Sequence, residues 1–164
     1  MRKKFSILAS TLVLLFAASA GSAYDAGLAG GYAQLFAPVK GITAGKALHF
    51  MTVPAFVDMV KSGKGFVTVD VRTPAETEVF GVTLPNSLQI PIDQLFQPAN
   101  LNRIPTDKPV VVICHSGARA IAAATALRHI GFDNVYILKG GLKELAGYLD
   151  AKTANMPVKK VASQ

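Results

Sequence analysis

Cys114 is the one cysteine of this 164-residue chain, and its neighbours place it where an anion-binding nucleophile would sit. It follows the β-branched run Pro109-Val-Val-Val-Ile113 and opens the stretch Cys114-His115-Ser116-Gly117-Ala118-Arg119, with an alanine-rich segment from Ala120 to Ile130 next. An apolar run of that kind is a buried strand, and the alanine-rich segment is a helix. The cysteine therefore lies at the carboxyl end of a strand, on a short glycine-containing loop that enters a helix. Such a loop turns backbone N–H groups inward and sets the positive end of the helix dipole beside the sulfur. Those conditions favour a reactive thiolate. A lone cysteine can equally be a small buried hydrophobe; Gly117 and Arg119 in the same loop argue for the reactive reading.

Other uses of a cysteine fall away. A disulfide needs a partner and a dithiol redox site needs Cys-x-x-Cys, and the chain has a single cysteine. His49, His115 and His129 are scattered, with no Cys/His cluster at zinc-site spacing, so neither a metal nor a cofactor is expected. His129, near a helix end, reads as a surface or capping residue.

Loop length narrows the chemistry. A loop that rings a tetrahedral phosphate in cysteine phosphatases has five residues between Cys and Arg, usually with His before the Cys. Here four residues separate Cys114 from Arg119, and Ile113 precedes the cysteine. The tighter loop suits a smaller target, one sulfur atom held as a persulfide. At this point the chain resembles a single-domain rhodanese. The resemblance spans roughly residues 50 to 150 and rests on an ordered set of features. Phe66-Val-Thr-Val-Asp70-Val-Arg72 with Pro74-Ala-Glu76 is similar to the family's strand and signature. Ser87-Leu-Gln-Ile-Pro91 is similar to its next strand and turn, and Val135-Tyr-Ile-Leu-Lys-Gly140-Gly141 to its last strand and double glycine. Two departures stand near the site rim: Gly81-Val-Thr-Leu-Pro85-Asn86-Ser87 is one residue longer than the usual segment and lacks its His, and Leu145 or a neighbour stands where a Trp is common.

The resemblance implies a two-step covalent route. The Cys114 thiolate takes a sulfane sulfur from a small anionic donor such as thiosulfate. The loop N–H groups of His115, Ser116, Gly117, Ala118 and Arg119 hold the persulfide, and a thiol, cyanide or an acceptor protein removes it. Arg119 either attracts the donor, together with His115, or braces the loop through a salt bridge. Asp70 and Arg72 support the site, with Arg72–Glu76 a candidate local ion pair and direct contact of Arg72 with the substrate the alternative. A persulfide carrier that hands sulfur to a partner protein and a non-catalytic binding module are the alternatives; the intact Cys and loop argue against the second.

The elements that must position these residues follow from the rest of the chain. Met1-Arg-Lys-Lys4, an apolar stretch from Phe5 to Phe16 and small residues through Ala23 read as a cleaved secretory leader, with Ala20 and Ala23 as candidate cleavage points. The apolar stretch is short for a membrane span. A periplasmic or secreted mature protein is expected, with no membrane contact after cleavage. The leader raises the mean hydropathy to +0.36, and its loss of Arg2, Lys3 and Lys4 takes the formal charge from +7 to +4. The remaining basic residues are dispersed, which argues against nucleic-acid binding, and a mild positive balance attracts small anions.

The expected organisation is a leader over 1–23, an extension over 24–45 that wraps the domain or partly disorders, a domain over 46–150 and a loose tail over 151–164. Within the domain, residues 46–51 read as a first short strand. Thr52 reads as the N-cap of a helix with Pro54 in its first turn, ending near Lys61. Strands near 66–70, 87–90, 109–113 and 135–138 alternate with helical stretches. The expectation is a rhodanese-like α/β fold, a mainly parallel central sheet flanked by helices, with Asp70 and Cys114 both at carboxyl strand ends, where such sheets bind ligands.

Overall fold

The computed structural model describes residues 23–158. The expected leader, apart from Ala23, and the last six residues of the tail lie outside the described residues.

Five strands form one sheet: β1 (Phe50–Met51), β2 (Val67–Asp70), β3 (Ser87–Gln89), β4 (Val110–Ile113) and β5 (Val135–Leu138). Their spatial order is β1-β5-β4-β2-β3, and every pairing is parallel. All four residues of β2 and of β4 are buried, as expected of central strands covered on both faces. From β2 the chain goes outward to β3, then crosses back over β2 to form β4. The carboxyl ends of β2 and β4 therefore flank the point where the winding reverses, and the crevice there is the natural ligand site of an open parallel sheet. Asp70 pairs with Ile113 across it.

Helices cover both faces. Helix α6 (Ala118–His129) lays Ala120, Ala123, Ala124 and Leu127 on the sheet, a run at helical spacing whose small residues let the helix approach closely. The opposite face is covered by α3 (Val53–Lys61) and α7 (Gly141–Tyr148), through Val53, Phe56, Val57 and Leu142. Thr52 caps α3, its hydroxyl accepting from the Ala55 N–H at 3.4 Å, and Pro54 sits in the first turn. Short α4 (Pro74–Val79) follows β2, and α5 (Pro98–Leu101) lies between β3 and β4.

Two segments differ from the sequence reading, and the extension takes one of its two alternatives. Only Phe50 and Met51 of the stretch 46–51 form a strand. Ala44–Ala47 is instead a helical turn, α2, and His49 reverses the chain with a left-handed φ of 59°. The extension contains helix α1 (Ala26–Phe36), capped by Asp25, which stacks Tyr32 on His129 of α6 at a ring separation of 3.9 Å. His129 is thus half-buried under α1. The tail holds helix α8 (Ala151–Asn155), capped by Asp150. This described part is not loose: the Lys61 ammonium donates to the carbonyls of Thr153, at 2.7 Å, and Met156, at 2.9 Å. A polar, lysine-bearing sequence signals solvation, but it does not reveal that a cation on α3 will satisfy the orphan carbonyls of a helix end.

Candidate active site

Cys114 follows β4 directly and is 1% exposed. The N–H of Gly117 donates to its Sγ at 3.1 Å. Gly117 is the N-cap of α6 with φ 99°, and a Cβ there would lie 3.4 Å from the Gly140 nitrogen. The loop therefore favours glycine at this position for its backbone conformation, while the space around it is that of ordinary contact. His115, Ser116 and Ala118 are exposed on the outer surface of the loop, while Gly117 is buried beneath it.

The loop is held from behind. The first-turn N–H groups of Leu142 and Lys143 in α7 donate to the carbonyls of Cys114 and His115, both at 2.9 Å. Because each trans peptide sets its N–H opposite its carbonyl, the N–H groups of His115 and Ser116 point away from α7. Gly141, at φ 62°, makes this approach feasible: a Cβ there would be 2.7 Å from the His115 carbonyl oxygen and closer still to that of Cys114. This buttress was not legible beyond the family's double glycine.

Arg119 is committed. Its Nη1 and Nη2 donate to Oε2 and Oε1 of Glu76, each at 2.7 Å, and both side chains are 34% exposed. Glu76 Oε2 also accepts from the N–H and hydroxyl of Thr73, at 3.1 and 3.0 Å, closing the capping box of α4. The Arg119 hydrogen bonds, with Thr73 assisting against burial, hold the Glu76 carboxyl well below the usual carboxylate range. Arg119 is in turn raised, by Glu76 first and by the nearby Cys114 sulfur to a lesser degree, while burial opposes. Of the alternatives for Arg119, the brace is the geometry observed.

Arg72 does not pair with Glu76 as expected. It turns inward, 3% exposed, and its Nε and Nη2 donate to the Asp70 carboxylate at 2.7–3.0 Å. Its Nη2 also donates to the Phe80 carbonyl at 2.6 Å, and its own N–H to Asp70 Oδ1 at 3.1 Å. Glu76 is unavailable to it because Thr73 and Arg119 occupy both carboxylate oxygens. Asp70 and Arg72 thus fasten the β2 turn and the segment beyond α4 to the end of the sheet, and every Arg72 contact is internal. Among the described residues no group of three or more His, Cys, Asp or Glu comes together to hold a metal ion.

A buried thiol on a glycine-turned loop, at the reversal point of a parallel sheet, has a family counterpart: residues 52–147 match the rhodanese-like domain. The chain belongs to the rhodanese-like domain family. YqhL of Bacillus subtilis is 42% identical over 84 residues, 51% of this chain and 64% of that protein. A sulfurtransferase of Allochromatium vinosum is 39% identical over 74 residues, 45% of this chain and 65% of that protein. The chain thus spans just under two thirds of the length of these relatives. A rhodanese-related protein of Thermoplasma volcanium has the same fold, with a TM-score of 0.51 at 26% identity over 60% of this chain and 91% of that one. The rhodanese-like match begins at Thr52, so α1, α2 and β1 lie before it.

Proposed function

We propose that this chain is a sulfurtransferase that carries a sulfane sulfur on Cys114. The observation behind the reading is the Gly117 N–H aimed at Sγ from 3.1 Å, in a loop whose carbonyls are turned outward to α7. A donor in that loop is attacked at its outer sulfur. With thiosulfate, a bond forms between Sγ and that sulfur, the donor's S–S bond breaks, and its electron pair leaves on sulfite. The loop amides stabilise the terminal sulfur of the persulfide. A thiol or cyanide then bonds to that sulfur, and the electron pair of the Cys114 S–S bond returns to Sγ.

A persulfide carrier with poor thiosulfate turnover is the second reading. It is favoured by the bidentate Glu76–Arg119 pair, which neutralises the cation otherwise available to a dianionic donor. Export of the mature protein, with the leader removed near Ala20 or Ala23 and the compartment periplasmic or extracellular, belongs to the same proposal and rests on the sequence. N-terminal sequencing of protein from the native host checks it: a mature chain beginning at Met1 in the cytoplasm refutes export.

Mass spectrometry after thiosulfate, then after cyanide, tests the chemistry. A gain of one sulfur atom that cyanide removes, absent in Cys114→Ser, is expected. Fast turnover selects the enzyme and slow turnover the carrier. Thiosulfate:cyanide activity in Cys114→Ser within tenfold of the parent protein would exclude Cys114 as the nucleophile.

A further inference from the structure

A second pocket lies beside the site, at the β1–β5 edge of the sheet. It encloses about 480 Å³ and is lined by Lys46, His49, Phe50, Thr52, Tyr136 and Lys139, with no carboxylate in its wall. Lys46, His49 and Phe50 precede the residues matched to the rhodanese-like domain. The backbone is shaped to form it. His49 has φ 59°, uncommon for a residue with a side chain. That turn brings α2, with Lys46 at its end, against the edge strand, where the His49 carbonyl accepts from Ile137 at 3.0 Å. The His49 ring is fixed by donating from Nδ1 to the Val135 carbonyl at 2.9 Å and by stacking on Tyr136 with centroids 5.1 Å apart. A backbone held in a sparsely populated region next to a cavity points to use of that cavity.

The pocket and the Cys114 loop meet at Lys139. Gly140 follows it, and a Cβ on Gly117 would be 3.4 Å from the Gly140 nitrogen. The ion pairs among the described residues are Arg72–Asp70, Lys108–Asp107 and Arg119–Glu76, so neither Lys46 nor Lys139 is paired with an acid there. The arginine in the loop is neutralised, and these two exposed lysines offer uncompensated charge in the pocket that adjoins it.

We propose that this pocket seats the carboxylate end of an anionic thiol, the acceptor of the sulfur on Cys114. The proposal rests on the sulfurtransferase reading above. Lys46 and Lys139 pair with carboxylates, and Tyr136 and Phe50 give the body of the molecule an apolar floor. The acceptor sulfur has only to reach from Lys139 to the Cys114 loop, a short step because Gly140, next to Lys139, lies against Gly117 of that loop. In the transfer, the acceptor sulfur bonds to the terminal persulfide sulfur and the Cys114 S–S bond breaks. The electron pair returns to Sγ as thiolate, and the thiol proton ends on the persulfide product.

The probe is S-methylglutathione, which has two carboxylates and no thiol, so that its binding is read by calorimetry without chemistry. The unaltered protein should bind it, and Lys46→Ala/Lys139→Ala should weaken binding by about tenfold or more. In steady state the double variant should lose a similar factor in kcat/KM for glutathione relative to 2-mercaptoethanol, which has no carboxylate. The backbone bond from the Lys139 N–H to the Met51 carbonyl survives both substitutions, so the fold is kept. No binding by the unaltered protein, or binding within twofold in the double variant, overturns the pocket even if Cys114 loads with sulfur. Binding without any sulfur loading of Cys114 overturns instead the sulfurtransferase reading, and the acceptor role with it.

Discussion

Arg119 and Glu76 join the active-site loop to the N-terminal cap of α4 by two parallel hydrogen bonds of 2.7 Å. Planar pairing of this kind uses both outer nitrogens of the guanidinium, so Arg119 positions the loop and presents little charge to an incoming donor.

If that is its role, Arg119→Ala and Glu76→Ala should reduce kcat/KM by similar factors, and each should slow thiosulfate and a neutral persulfide donor alike. The double variant should cost little more than either single change, with a coupling of about 1 kcal/mol given the partial solvent screening of the pair. Arg119→Lys should recover only part of the loss, because a point charge cannot reproduce the fork. A selective loss for thiosulfate in Arg119→Ala would instead make it a donor-binding residue.

The latch also has a predicted acid limit. Glu76 titrates below its unfolded value in the folded chain, so its ionised form contributes stability that is fully present above the unfolded pKa of about 4.3. That contribution declines as pH falls below this value toward the lower folded one. The stability difference between the parent protein and Glu76→Gln, from urea melts, should be flat from pH 7 to about 5 and shrink below about 4.3. A difference already gone at pH 6 would mean that the pair is not formed in solution.

Gly141 tests the buttress behind the loop. Its Cβ would lie 2.7 Å from the His115 carbonyl oxygen, at a φ of 62° that already disfavours a side chain. Gly63 has a similar φ of 66° with nothing within 4 Å, which isolates the backbone cost. Gly63→Ala should destabilise by about 1 kcal/mol. Gly141→Ala should cost at least about twice that and depress sulfur loading of Cys114, since the carbonyls of the loop must move. Equal costs at both positions would show that the contact between α7 and the loop is not tight.

Much of this was readable from residue order. β4 and the helix entry placed Cys114 within a residue, because a β-branched run followed by glycine and alanines leaves few alternatives. Thr52 announced α3 through its side chain and the proline after it. The side-chain partners were not readable. Arg72 lies four residues from Glu76 along the chain, which suggests a local pair, yet Arg119 reaches Glu76 from 43 positions away. The capping box Thr73–Glu76 was visible as a motif and could have shown that Glu76 was already oriented toward the helix start. The docking of α1 and α8 depends on a ring stack and a lysine cap, contacts that no composition signal carries.

The buried pair at the end of β2 should be the most sensitive support. Asp70 and Arg72 are 2% and 3% exposed, and Asp70 accepts all three of the nearby Arg72 donors. Removing one partner leaves a desolvated charge, a cost of about 3–5 kcal/mol. Asp70→Ala should therefore destabilise within that range in urea unfolding. Arg72→Ala should do the same and also free the Phe80 carbonyl. Replacing both residues by leucine and methionine should recover most of the stability, since the pair's attraction largely offsets its own desolvation. Sulfur loading should follow stability in all three variants, because no Arg72 contact reaches the Cys114 loop. If the double apolar variant folds with full stability yet fails to load sulfur, Arg72 contacts the donor and its role is wider than support.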